Sequence, residues 1–63
     1  MKDIKLFPMR SRKNIRKLVH ILGVDAETAY VMMVMAATLM DLRPEDDAVV
    51  EMILMDCEQG DCA

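Results

Sequence analysis

The sequence predicts an all-α domain of three short helices, and three observations carry that expectation. The first is composition. The 63 residues include only Tyr30 and Phe7 as aromatics, two glycines and two prolines, and the 54% hydrophobic content is aliphatic with eight methionines. β-Branched and aromatic residues, which favour strands, do not dominate. The second is spacing: Ile15, Leu18, Val19 and Leu22 fall at i, i+3, i+4 and i+7, one stripe of an amphipathic helix. The third is punctuation, with Ser11, Gly23, Asp25 and Pro44 placed as helix starts and stops.

Residues 1–9, MKDIKLFPM, form an arm ahead of a single small helical domain over 10–63. Pro8 blocks continuation of a helix through it, so the arm is either flexible or laid across another surface. Helix 1 is expected over about 11–22, capped by Ser11 and ended by Gly23. Helix 2 is expected over about 25–42, with Asp25 as its cap and Glu27 in its first turn, where the helix dipole favours an acid. Helix 3 is expected over about 44–58. Pro44 suits its first position, and Glu45, Asp46 and Asp47 follow in the first turn. Val49, Val50, Met52, Ile53, Leu54 and Cys57 would give helix 3 a broad apolar face.

Helix 2 sets the association state. Residues 29–40 carry no charge on any side, and a helix that is apolar all round is buried all round. Two short companions cannot enclose it, so a homodimer is expected with helix 2 at its centre. One face carries Met32, Met35 and Leu39. The other, with small residues that permit close approach, is assigned to the dimer interface: Tyr30, Met33, Ala36, Ala37 and Met40.

The net charge of −3 conceals a split. Residues 1–17 hold seven cations against Asp3, whereas residues 18–63 hold Arg43 against ten carboxylates. Such asymmetry marks a basic segment that meets nucleic acid or an acidic protein, or else a basic part that lies against the acidic part of the same or a neighbouring subunit. Arg10, Arg12, Lys13, Arg16 and Lys17 are the partner-contact residues this predicts. Arg12 and Lys13 fall in the first turn of helix 1, where positive charge opposes the dipole, so helix stability alone does not explain them.

No catalytic constellation is visible. There is no glycine-rich phosphate loop and no nucleophile with a base beside it in the sequence pattern. Asp46 and Asp47 are accounted for as helix-start acids. Cys57 and Cys62 have C-x4-C spacing with His20 as the one imidazole, so a four-ligand zinc site would need carboxylates or a second chain. Cys57 reads as a small core residue and Cys62 as a tail thiol. No enzyme activity, cofactor or metal is expected. The segment KLVHILGVDAETAYVMM has the layout of a helix-turn-helix, but a recognition helix presents polar side chains to base edges, and this one presents Tyr30, valines and methionines. The uncharged run of 12 residues falls short of the ~20 that span a bilayer, and no apolar run directly follows the basic start. A cytoplasmic protein with reduced thiols and no membrane partner is expected.

Over the segment SRKNIRKLVHILGVDAETAYVMMVMAATLM and the acidic RPEDD, the chain resembles the small early proteins encoded between the recombination and excision genes of lambdoid bacteriophages. The resemblance covers most of the chain, rests on no specific motif and transfers no catalytic or ligand residue. It implies a helical protein of the host-cell cytoplasm, made early in infection, that modulates host physiology or the lytic-versus-lysogenic outcome. The function expected is therefore non-enzymatic regulation through contacts with a host or phage protein. The alternative is a nucleic-acid-binding accessory factor using the basic segment 10–17.

Overall fold

A computed structural model of the chain describes residues 4–57. A 3-10 turn over Ile4–Leu6 precedes α1 (Met9–Leu22), α2 (Ala26–Met40) and α3 (Asp47–Asp56). No strand occurs among the described residues, and the all-α class with three helices is as the composition and spacing indicate.

Each helix end has a local cause, and two differ from expectation. α1 starts two residues before Ser11. Pro8, with φ −55° and ψ 137°, is the residue outside the helix, and its carbonyl accepts the Ser11 N–H at 3.0 Å. A proline just ahead of a helix removes a donor that the first turn would leave unpaired anyway. Ser11 is consequently not a cap but a buried residue inside the first turn. The stop is as read: Gly23 takes the left-handed conformation at φ 70° and donates to the Val19 carbonyl at 3.0 Å.

At α2, Asp25 is the cap, its Oδ1 accepting the Thr28 N–H at 2.8 Å. The helix ends at Met40, short of 42, because Asp41 adopts φ 57° and Leu42 donates back to the Ala37 carbonyl at 2.8 Å. Aspartate is among the residues that tolerate the left-handed region, a stop that no glycine announces.

α3 begins at Asp47, not at Pro44. Asp46 accepts the Ala48 N–H on its side chain at 3.0 Å, whereas the side chain of Arg43, ahead of Pro44, carries only donors and cannot cap a helix start. Only Asp47 lies in the first turn. Helix 3 was expected to reach 58, which lies outside the described residues, as do Cys62 and residues 1–3.

Gly23, Val24 and Asp25 turn the chain by 112° between α1 and α2, so α2 crosses the other helices and packs on both. The core is Ile15 and Leu18 from α1, Ala26, Ala29, Met33 and Ala37 from α2, and Val49, Val50 and Ile53 from α3. Three alanines on the inner face of α2 bring its backbone close to its neighbours. The N-terminal segment is fastened to this core. Arg12 donates through Nε to the Phe7 carbonyl at 3.1 Å and through a terminal nitrogen to the Lys5 carbonyl at 3.0 Å. The Phe7 ring meets Tyr30 with centroids 5.2 Å apart at a tilt of 51°, a favourable aromatic geometry.

No single described helix is long and apolar enough to cross a membrane.

Candidate interaction surfaces

The basic residues of α1 divide into two groups. Arg10 pairs with Glu45 at 3.6 Å and Lys13 with Asp47 at 3.3 Å, so part of the charge split is internal, α1 facing the acidic start of α3. Arg12 serves the backbone of residues 5 and 7. Arg16 and Lys17 make no ion pair among the described residues and stand exposed. With Met9, Arg12 and Lys13 they line a shallow cleft. Of the five cations predicted to touch a partner, three thus have work inside the subunit.

Exposed ion pairs contribute little, because water and salt screen them. Arg10→Gln combined with Lys13→Gln should therefore lower unfolding free energy by only ~0.2–1 kcal/mol per pair, read as a small shift of the urea midpoint. A loss of more than about 3 kcal/mol, beyond what exposed pairs supply, would show that these contacts organise the fold.

The loop between α2 and α3 is held more firmly by Asn14. Its side-chain nitrogen donates to the carbonyls of Pro44 at 3.2 Å and Asp46 at 3.3 Å, and the residue is 1% exposed. The sequence reading missed it. The signal available was its position on the stripe of helix 1, four residues before Leu18 and beside Ile15, where a polar residue must find partners.

The predicted dimer face is corrected by the packing. Met33 is 0% and Ala37 2% exposed within one subunit, so neither can form a seam between subunits. Tyr30, Ala36 and Met40 are half-buried against the same core. The outward face of α2 is instead Val31, Val34, Met35, Thr38 and Leu39. Val31 is 51%, Met35 63% and Leu39 83% exposed. Thr38 turns its hydroxyl back to donate to the Val34 carbonyl at 2.9 Å, so the stripe offers a partner no unsatisfied polar group there. The premise behind the dimer, that three helices leave one side of α2 wet, matches what is seen.

A second apolar feature lies beside this stripe. Met32, Met35, Ala36 and Leu39 of α2 form one wall and floor of a groove, and Ile53, Asp56 and Cys57 close it from the end of α3. Met52 and Met55 are exposed on α3 nearby. The charges carried by α2 and α3 are Glu27, Asp47, Glu51 and Asp56, all acidic.

His20 is exposed on α1 and Cys57 half-buried at the end of α3. Among the described residues, no three histidines, cysteines or carboxylates come together as a metal-binding group. The concave features are open, and apart from Asp56 and Cys57 at the end of α3 their lining is aliphatic or cationic. No protein family, no curated protein and no solved structure matches this chain.

Proposed function

We propose that the chain is a non-enzymatic regulatory protein that acts through protein–protein contacts and pairs with a second copy along the outer face of α2. The observation that carries this reading is the exposed stripe of Val31, Val34, Met35 and Leu39 on a helix uncharged over residues 29–40. Contiguous apolar surface on a small protein marks a contact site. A two-fold contact apposes a surface with itself. α1 and α3 would each appose like charges in such a contact, whereas the outer face of α2 would not. The resemblance to early lambdoid phage proteins supplies the setting, a regulator of host physiology or of the lysis–lysogeny outcome in the host cytoplasm.

The test is the mass in solution. Light scattering coupled to gel filtration should give twice the chain mass, and Val31→Lys with Thr38→Lys should return it to the monomer mass with helicity unchanged, since both residues are exposed. A wild-type monomer at tens of micromolar, where specific dimers of micromolar affinity are formed, would end the self-association reading.

A second reading is nucleic-acid contact through Arg16 and Lys17, which stand exposed without ion pairs among the described residues. Phosphate contacts release counterions, so this affinity would fall steeply with salt, whereas the apolar contact would not.

A further inference from the structure

We infer that the outer face of α1, with the turn that precedes it, seats the protein on an anionic lipid surface. This goes beyond the protein-contact reading and does not depend on the pairing of copies, which uses α2. A short uncharged run argues against crossing a bilayer, but association at its surface needs no spanning helix.

Local structure builds this face. Met9, Lys13, Arg16, Lys17 and His20 recur at i, i+4, i+7, i+8 and i+11 of α1, one stripe about 16 Å long at helical rise. All five are exposed, while Asn14, Ile15 and Leu18 on the other side of the helix are buried. Residues 4–24 hold six cations and no carboxylate. Glu45 and Asp47 pair with Arg10 and Lys13, which leaves Arg16 and Lys17 without an ion pair among the described residues. Two large apolar side chains stand at the N-terminal end of this basic face, Leu6 at 77% and Met9 at 76% exposed. Ile4 and Phe7 pack against the core instead. Arg12 fixes that arrangement, because the carbonyls it holds belong to Lys5 and Phe7, on either side of Leu6.

The charge calls for a polyanion, and the apolar pair narrows the choice. Phosphate contacts along a nucleic-acid duplex would leave Leu6 and Met9 in water. No exposed aromatic is available to stack unpaired bases, since Phe7 and Tyr30, the chain's two aromatics, are half-buried against each other. The one amide of α1, Asn14, is buried on the loop carbonyls and cannot read an adenine edge. An acidic peptide would need a second wall, whereas the shallow cleft here is lined by α1 alone. A lipid surface meets both features. Its anionic headgroups attract lysine and arginine close to the membrane, and the acyl boundary beneath them takes up apolar side chains that project among the cations.

The test is vesicle sedimentation with the full chain. Phosphatidylcholine vesicles with about 30% phosphatidylserine should bind it at least about tenfold more tightly than phosphatidylcholine alone. Arg16→Gln with Lys17→Gln should weaken binding about 25-fold, at roughly fivefold per cation near the surface. Leu6→Ser with Met9→Ser leaves the charge as it is and should weaken binding about tenfold through lost apolar burial. All four positions are exposed, so helicity and the thermal transition should match wild type. With spin-labelled lipid, the ε-methyl NMR signal of Met9 in the wild-type chain should broaden, and that of Met35 on the outer face of α2 should not. Equal or no binding to the charged vesicles would overturn the assignment, as would a serine variant that binds as tightly as wild type. Broadening at Met35 rather than Met9 would overturn it too, by placing the α2 stripe on the bilayer. So would displacement from the vesicles by a mixed-sequence DNA duplex at a phosphate concentration below that of the anionic lipid, which would return Arg16 and Lys17 to the nucleic-acid reading.

Discussion

Ala37→Glu should abolish the folded state. Ala37 is 2% exposed on the inner face of α2, in the core that joins α1, α2 and α3. A carboxylate there would lie among the apolar side chains that α1, α2 and α3 bring together. Burying an unpaired ion costs several kcal/mol even after relaxation. A core of this size supplies only about 3–5 kcal/mol, so the substitution removes all of it. Ala36→Glu is the informative comparison. Ala36 is half-buried at the floor of the α2–α3 groove, where a glutamate can turn its carboxylate to water. It should lose roughly 1 kcal/mol, the centre of the range for ordinary substitutions, and should fill the groove. Far-UV circular dichroism with thermal melting separates the two. A cooperative transition in Ala37→Glu close to that of wild type would show that position 37 reaches solvent.

Asn14→Asp should be nearly as damaging, although it exchanges one NH2 for one oxygen. The amide donates to two carbonyls, those of Pro44 and Asp46, from a site 1% exposed. A carboxylate cannot donate, so both carbonyls lose their donor and a buried negative charge faces two acceptor oxygens. Leaving buried polar groups unsatisfied costs ~1–3 kcal/mol each, more when one is charged, so a loss of about 3 kcal/mol or more is expected. Asn14→Ala, which removes the donors but adds no charge, should lose less, about 2 kcal/mol. The pH dependence is diagnostic. Burial holds the introduced carboxyl protonated to higher pH in the folded than in the unfolded chain. Its penalty is therefore full above the folded-state value and shrinks as pH falls through it, because the unfolded state then loses its advantage. Urea melts of the variant and wild type at matched pH, neutral and mildly acidic, measure this. A deficit that stays constant, or an Asn14→Asp melt equal to wild type, would show that Asn14 does not anchor the loop.

These two substitutions bear on function only through folding, which is why the exposed positions carry the functional tests. Leu39 and Val31 can be changed without entering the core, and Arg16 and Lys17 likewise stand outside it. Arg12 is different. It was grouped with the partner-contact cations, yet it holds the Lys5 and Phe7 carbonyls. A charge-removal experiment that includes it mixes loss of a docked N-terminal turn with loss of any partner.

Local chemistry determined the helices. The stripe of Ile15, Leu18, Val19 and Leu22, the left-handed Gly23 and the Asp25 cap are short-range features, and each was legible because its partners lie within four residues in sequence. The start of α3 was misjudged because Asp46, two residues beyond Pro44, satisfies an end N–H that proline cannot, and the end of α2 because an aspartate took a glycine's role. The sequence also determined that some side of α2 would remain uncovered, since two short neighbours cannot wrap an uncharged helix. It could not determine which side. A helix with no polar face has no internal mark of inside and outside. The choice fell to the packing of α1 and α3, which drew the alanines and Met33 inward and left Val31, Met35 and Leu39 in water. The fate of the cations was decided the same way: Arg10 and Lys13 meet Glu45 and Asp47 across more than thirty residues of chain. Such a pairing exists only once the 112° turn between α1 and α2 and the course of the following loop have brought the start of α3 beside α1.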